Sequence, residues 1–353
     1  MIKRKITSSI GAMAVSLCLV LLLIFEKTAT HEAVSALTLS VKRVIPSLFP
    51  FMVLSDIIIS MDLLMPIYSL IPTEKLFRLP RCTASVILCG LLCGFPIGAA
   101  GAAKLYAEGK INRREAEVLC AVSSHASPAF LIGVVGSIWG SKRFGVMLYF
   151  AQVLFCLISG VVISHIALPK ASSSKSCPEN SAAKPRFSPS LCSAVHSASL
   201  TCMTVTGNIL FFRVLGSVLS VVIPTLAPVF SVMFEFSGGT VYGATIGGQT
   251  GGFLTGLAVG FSGVAVLMQC CNFTSPYGIK LNCYIFTKAV EGLVLGAFAA
   301  LWVWKYGLIP SESTVILLSP REPEISLLLL FALTVLFLLT SRPPKRKNFT
   351  HGS

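Results

Sequence analysis

Apolar residues in this chain run on in long blocks, and polar residues either separate the blocks or interrupt them. The blocks cover residues 6–25, 83–103, 144–168, 191–212, 214–234, 282–306 and 325–339. A helix needs roughly 20 predominantly apolar residues to cross a bilayer, and most of these blocks are that long. Several carry breaks. Gly94-Phe95-Pro96-Ile97-Gly98 sits inside 83–103, and Glu235-Phe236-Ser237-Gly238-Gly239-Thr240 sits in apolar sequence further on. Proline removes a backbone donor and glycine loosens the turn. The freed N–H and C=O groups survive at membrane depth only against protein or a wet cavity. Ser123, Ser124, His125, Ser127 and Pro128 interrupt a second block, and Ser262-Gly263 a third. Two interrupted segments at matching places in two halves point to a solute site at a repeat interface.

Other stretches add detail. From Val34 to Val44 apolar residues fall at helical spacing, and Pro46 and Pro50 follow. This predicts an amphipathic helix and then a re-entrant or kinked hairpin. Asp56 and Asp62 are read as interfacial. Asn112, with Glu115 three positions on, predicts a capping box that starts a helix. Glycines at 243/247, 248/252, 252/256 and 256/260 predict closely packed helices. Residues 169–190 are rich in Ser, Lys and Pro and read as a polar linker. It separates two comparable halves. The expected organisation is an N-terminal transmembrane helix (1–30), a first repeat (31–168), the linker, a second repeat (191–307), and a C-terminal helix with a basic tail (308–353). The predicted fold class is an all-α polytopic membrane protein with two inverted-topology repeats, broken or re-entrant helices, and about 8–10 membrane segments.

Composition agrees with the pattern. Of 353 residues, 54% are hydrophobic and only 12% charged, against roughly 25% charged in soluble domains. Mean hydropathy is +0.82. The net charge of +14 comes from short Lys/Arg clusters between blocks and at both ends, which is the distribution of topology signals. No basic stripe suits nucleic acid. Met1-Ile2-Lys3-Arg4-Lys5 and Arg342-Pro-Pro-Lys345-Arg346-Lys347 place both termini in the cytoplasm. The 12 cysteines lack zinc-site spacing and lie mostly in apolar runs, as small packing residues do. No P-loop, His-Glu-x-x-His or Gly-x-Ser-x-Gly occurs, so no enzyme, metal site or resident cofactor is expected.

Glu235 is the sole formal charge in 214–279. A carboxylate at span centre costs roughly 2.5–3.5 kcal/mol, so such groups tend to mark ion or proton routes. The competing reading is an interfacial Glu at a helix end. His125 is read either as a hydrogen-bonded helix histidine or as a ligand contact.

The segments Gly90-Leu-Leu-Cys-Gly-Phe-Pro-Ile-Gly-Ala, Asn112-Arg-Arg-Glu-Ala-Glu and Ser127-Pro-Ala-Phe-Leu-Ile-Gly-Val-Val-Gly resemble the nucleoside-recognition, or Gate, domain. Val44-Ile-Pro-Ser-Leu-Phe-Pro-Phe and Gly260-Phe-Ser-Gly-Val-Ala-Val-Leu-Met-Gln269 resemble the sporulation integral membrane protein YlbJ group within it. His125 stands where that pattern has Asn, and Ser262 where it has Gly. The resemblance implies transport of dipicolinate, a planar aromatic dicarboxylate, across the outer forespore membrane. The expected substrate-binding residues are Gly94, Phe95, Pro96, Gly98, Ser124, His125, Ser127, Pro128, Ser237, Gly238, Gly239 and Gln269, with Glu235 coupling H⁺ or Na⁺. The alternatives are a nucleoside-type transporter or a non-transporting membrane partner of a sporulation complex. The bilayer and a small solute are the expected partners, with a homo-oligomer or a sporulation membrane partner left open.

Overall fold

The computed structural model describes residues 2–64, 72–169 and 187–311. The expected last span (325–339), the basic tail and most of the 169–190 linker lie outside the described residues. Helices make up the fold, and no strand occurs among the described residues.

The chain opens with α1 (Ile2–Ile24) and α2 (Glu26–Leu39). The two axes meet at 93° where they part, so the first apolar block ends in a corner. A π-helical turn, Ser40–Val44, joins α2 to α3 (Ile45–Ser60). Here the sequence reading is corrected. Pro46 and Pro50 do not break the chain into a hairpin. Pro46 sits in the first turn of α3, where its missing N–H matters least, and Pro50 lies inside the helix. The wider π turn just before them takes up the local distortion. Asp56 and Asp62 of this arm pair with Lys104 at 2.6 Å and Lys110 at 3.0 Å.

After α4 (Thr73–Phe77) the first interrupted segments fold as α5 (Thr83–Cys93), α6 (Ile97–Ala107) and α7 (Arg113–Ser123). A non-helical stretch follows, then a π-helical segment, Ala129–Val135, and the short α8 (Gly136–Ile138). The unbroken α9 (Lys142–Ala167) closes this half. The predicted capping box is present: Asn112 accepts from Glu115 N at 3.0 Å, and the Glu115 carboxylate accepts from Asn112 N at 2.7 Å.

The second half begins with α10 (Phe187–Val222), inside the stretch expected to be linker. It runs straight through Arg213, because Glu32 of α2 meets that charge at 3.1 Å. Then come α11 (Ala227–Phe234), α12 (Phe236–Ile246), α13 (Gly248–Phe261), α14 (Gly263–Thr274) and the unbroken α15 (Asn282–Tyr306). Both halves thus run in the order long arm, two broken segments, long helix.

The long helices show the membrane in their two faces. On α9, Phe150, Leu154, Ile158, Val162 and Ile166 are exposed, while Leu148, Gln152, Cys156, Gly160 and Ser164 are buried. Both sets recur every four residues or so, the spacing of one helix face. The outward face is the more apolar, which water would not favour and lipid does. The protein is an all-α polytopic membrane protein. Among the described residues four helical runs are long and apolar enough to span, one of them α13 and α14 together, or five with the bent α1–α2 pair, and four further apolar helices are shorter.

The glycine face does what its spacing predicts. A Cβ on Gly256 would lie 2.2 Å from Leu295 O, and one on Gly260 would lie 2.7 Å from Glu291 O. α13 therefore presses directly on α15.

Candidate functional site

Each half brings its two breaks together. In the first, α5 stops at Gly94, whose φ of +81° suits glycine alone, and α6 restarts after Pro96. The unwound residues Ser124–Ser127 lie across this gap. Phe95 N donates to His125 O at 2.8 Å. A Cβ on Gly94 would meet Ser127 N at 2.7 Å, and one on Gly98 would meet Ser123 O at 2.2 Å. Backbone thus touches backbone, and the glycines permit it.

Freed carbonyls at this crossing need donors, and α9 supplies them. Gln152 Nε2 donates to Ala126 O at 2.9 Å, Tyr149 donates to Leu91 O at 3.2 Å, and the Cys156 thiol donates to Val122 O at 2.8 Å. These side chains come from an otherwise lipid-like helix. Their task was not visible in the sequence.

In the second half each break is one residue long. Glu235 ends α11 and caps α12, and its carboxylate accepts from Ser237 N at 3.0 Å, Gly238 N at 2.8 Å and the Ser237 hydroxyl. It is buried, at 1% exposure. Gly238 and Gly239, expected within the break, belong to the first turn of α12. Ser262, between α13 and α14, has φ +69°. Gly263 follows so closely under the other break that its Cβ would lie 3.1 Å from Phe234 O.

Between the two crossings lies a cavity of about 390 Å³. Phe95, Ser127, Glu235, Ser237 and Gln269 line it, as expected of a shared site, together with Phe130, Phe236 and Lys42. Phe236 of the second half stands 4.7 Å from the Phe130 ring and 6.0 Å from the Phe95 ring, centroid to centroid. Three phenyl rings with hydroxyls and an amide between them form one side, and Leu39, Val44, Leu48, Val205 and Ile209 form an aliphatic side. Lys42, exposed, brings a cation to the lining. A second cavity of about 760 Å³ has Glu235 and Gly238 in its wall with the Glu32–Arg213 pair, so Glu235 stands between the two.

The other expected residues do not line the aromatic cavity. Gly94, Pro96, Gly98, Pro128 and Gly239 build the crossings. Ser124 and His125 point behind them and are fully buried. His125 Nε2 lies 2.8 Å from Val122 O, and its Nδ1 lies 3.2 Å from Lys288 Nζ and 3.6 Å from Glu291 Oε1. Lys288 and Glu291 are themselves joined at 2.8 Å. This charged cluster in α15 went unread in the sequence. Its signal was present: two opposite charges one helical turn apart inside the apolar block 282–306.

The amino-acid sequence is distantly similar to a known protein. The chain is 26% identical to the sporulation integral membrane protein YlbJ of Bacillus subtilis (strain 168), with 74% of each chain covered. The likeness supports a distant relationship to that protein. No family model matches the chain, and no solved structure matches it.

Proposed function

We propose that this protein is a secondary transporter for a small aromatic anion, with dipicolinate as its substrate, acting during spore formation. The cavity at the meeting of the two crossings carries the reading. It is large enough for a small ligand. Its aromatic side suits a planar ring, with Ser127, Ser237 and Gln269 as partners for carboxylate oxygens and Lys42 as counter-charge. The Glu235 carboxylate does not oppose an anion with its full charge, since three donors already face it. The two halves would be inverted-topology repeats of the Gate type, moving against each other about this site. The similarity to a sporulation membrane protein supports the setting, and the outer forespore membrane is the proposed location.

Uptake of labelled dipicolinate into proteoliposomes under an imposed proton or Na⁺ gradient tests this. Dipicolinate uptake without uridine uptake is the expected result. Uridine uptake alone would make the protein a nucleoside-type carrier. Uptake of neither, with a stable co-purifying protein, would favour a non-transporting partner of a membrane complex.

A further inference from the structure

We propose that His125, Lys288 and Glu291 form a proton-binding site coupled to anion occupancy of the aromatic cavity. The coupling rests on the transport reading; the proton site itself does not.

The geometry assigns the hydrogens. Val122 O can only accept, so His125 Nε2 carries a proton toward it at 2.8 Å. In the neutral ring Nδ1 is then a lone pair, and Lys288 Nζ donates to it at 3.2 Å. A second proton has one place to go, Nδ1. That ends the bond from Lys288 and creates a donor 3.6 Å from Glu291 Oε1. This oxygen is buried and has no hydrogen bond, while its twin Oε2 holds Lys288 at 2.8 Å. An acceptor therefore waits beside the one ring nitrogen able to take a proton.

The remaining groups beside the cluster are uncharged. Cys156 of α9 meets His125, while Cys270 of α14 and Tyr284 of α15 lie beside Lys288. The hydroxyls of Tyr284 and Ser124, beside the Cys270 thiol, are buried without a well-formed hydrogen bond. The cluster is thus neutral with neutral His125 and carries one positive charge when it is protonated.

Phe95 links this charge to the cavity. Lys288 Nζ lies 5.3 Å from the centroid of the Phe95 ring, and that ring also forms cavity wall. Ala126 and Ser127, the two residues after His125, line the same cavity. Proton uptake at Nδ1 frees the ammonium from the imidazole and leaves a net positive charge behind the aromatic wall. An anion in the cavity favours that state, and by linkage the proton favours the anion to the same degree.

Two measurements on the full-length protein in detergent test this. The first needs no ligand. With isotope-labelled histidine, the His125 ring signal, assigned by its loss in His125→Gln, shifts with pH as the ring gains its second proton. Its midpoint falls by at least about one unit in Glu291→Gln, which removes the acceptor and leaves the ammonium. If that variant does not stay monodisperse, Lys288→Gln replaces it, which removes the ammonium and leaves the acceptor, and there the midpoint rises by at least about one unit. A ring that does not titrate, or a midpoint indifferent to these changes, overturns the proton site. The second is calorimetric binding of dipicolinate in two buffers of different ionisation enthalpy. Wild type takes up a proton on binding, and His125→Gln binds without uptake. Uptake that survives His125→Gln, or binding with no uptake in wild type, overturns the coupling. Absence of dipicolinate binding defeats the substrate reading and the coupling with it, while the His125 titration still decides the proton site.

Discussion

The two crossings solve one problem in different ways. The first half unwinds four residues, Ser124–Ser127, and relies on α9 for donors: Gln152 reaches Ala126 O within them, while Tyr149 and Cys156 reach Leu91 O and Val122 O on the helices that flank the crossing. The second half unwinds single residues, and Glu235 caps its own α12 from within the same strand of chain. Charges stand behind both crossings: the Lys288–Glu291 pair beside His125 behind the first, and the Glu32–Arg213 pair beside Gly238 behind the second. They differ in that the second crossing also carries a carboxylate of its own, Glu235, at the cavity wall. A break that depends on a neighbour can be released when the neighbour moves, whereas a capped break keeps its hydrogen bonds through a rigid-body motion. The first crossing is thus the more suitable gate, and the second the more suitable fixed wall.

Substitutions at each crossing can break or sharpen this contrast. The largest effect is expected at Lys288→Met, which takes the close partner from the buried Glu291 and leaves it only His125 at 3.6 Å; it costs about 3–5 kcal/mol. Thermal unfolding in detergent should show the loss, and adding Glu291→Gln should restore most of it. Gly98→Leu comes next. It forces a side chain where Ser123 O already stands 2.2 Å from a Cβ, at a cost of about 3 kcal/mol. Size-exclusion chromatography should show a lost monodisperse peak. Gln152→Leu strips the donor from Ala126 O and should lower stability by about 2 kcal/mol. If the first crossing depends on α9, hydrogen exchange should rise at Ser124–Ser127 and stay unchanged around Glu235. Equal exchange at both crossings would erase the distinction. The smallest effect is a gain. Ser262→Gly removes a side chain from a left-handed position and should stabilise by about 1 kcal/mol, seen as a higher unfolding temperature.

Much of the fold could be read from local chemistry. Gly94 and Pro96, Glu235 and Ser262 mark breaks because each breaks a helix by its own conformational needs or by capping. Asn112 and Glu115 announce a helix start for the same local reason. The glycine spacing of α13 gave a packed face, and the structure shows α15 as its partner. What could not be read was tertiary. Pro46 and Pro50 looked like breaks because the π turn that absorbs them has no signature of its own. Arg213 looked like the end of a span because its partner, Glu32, lies far away in the chain. Lys288 and Glu291 passed as ordinary helix residues, since only folding sets them against His125. On the cavity wall, Phe95, Ser127, Glu235 and Ser237 stood out in the sequence by their position at breaks, whereas Phe130 and Lys42 carried no such signal and Phe236 none beyond its place next to Glu235. Ser124 and His125 also sit at a break, but they face the charged cluster behind the wall.

Gly133 offers the most direct test of the central claim that solute passes through the aromatic cavity. It lines that cavity, and a Cβ there would meet nothing within 4 Å. Gly133→Trp therefore puts a bulky ring on the cavity wall from a position where the backbone leaves room for a Cβ. Dipicolinate uptake by proteoliposomes should vanish in this variant while its unfolding temperature stays at the wild-type value. The equally open Gly207 on α10, which does not line the cavity, provides the control as Gly207→Leu. Wild-type uptake through Gly133→Trp would contradict the account, because the solute would then be crossing elsewhere.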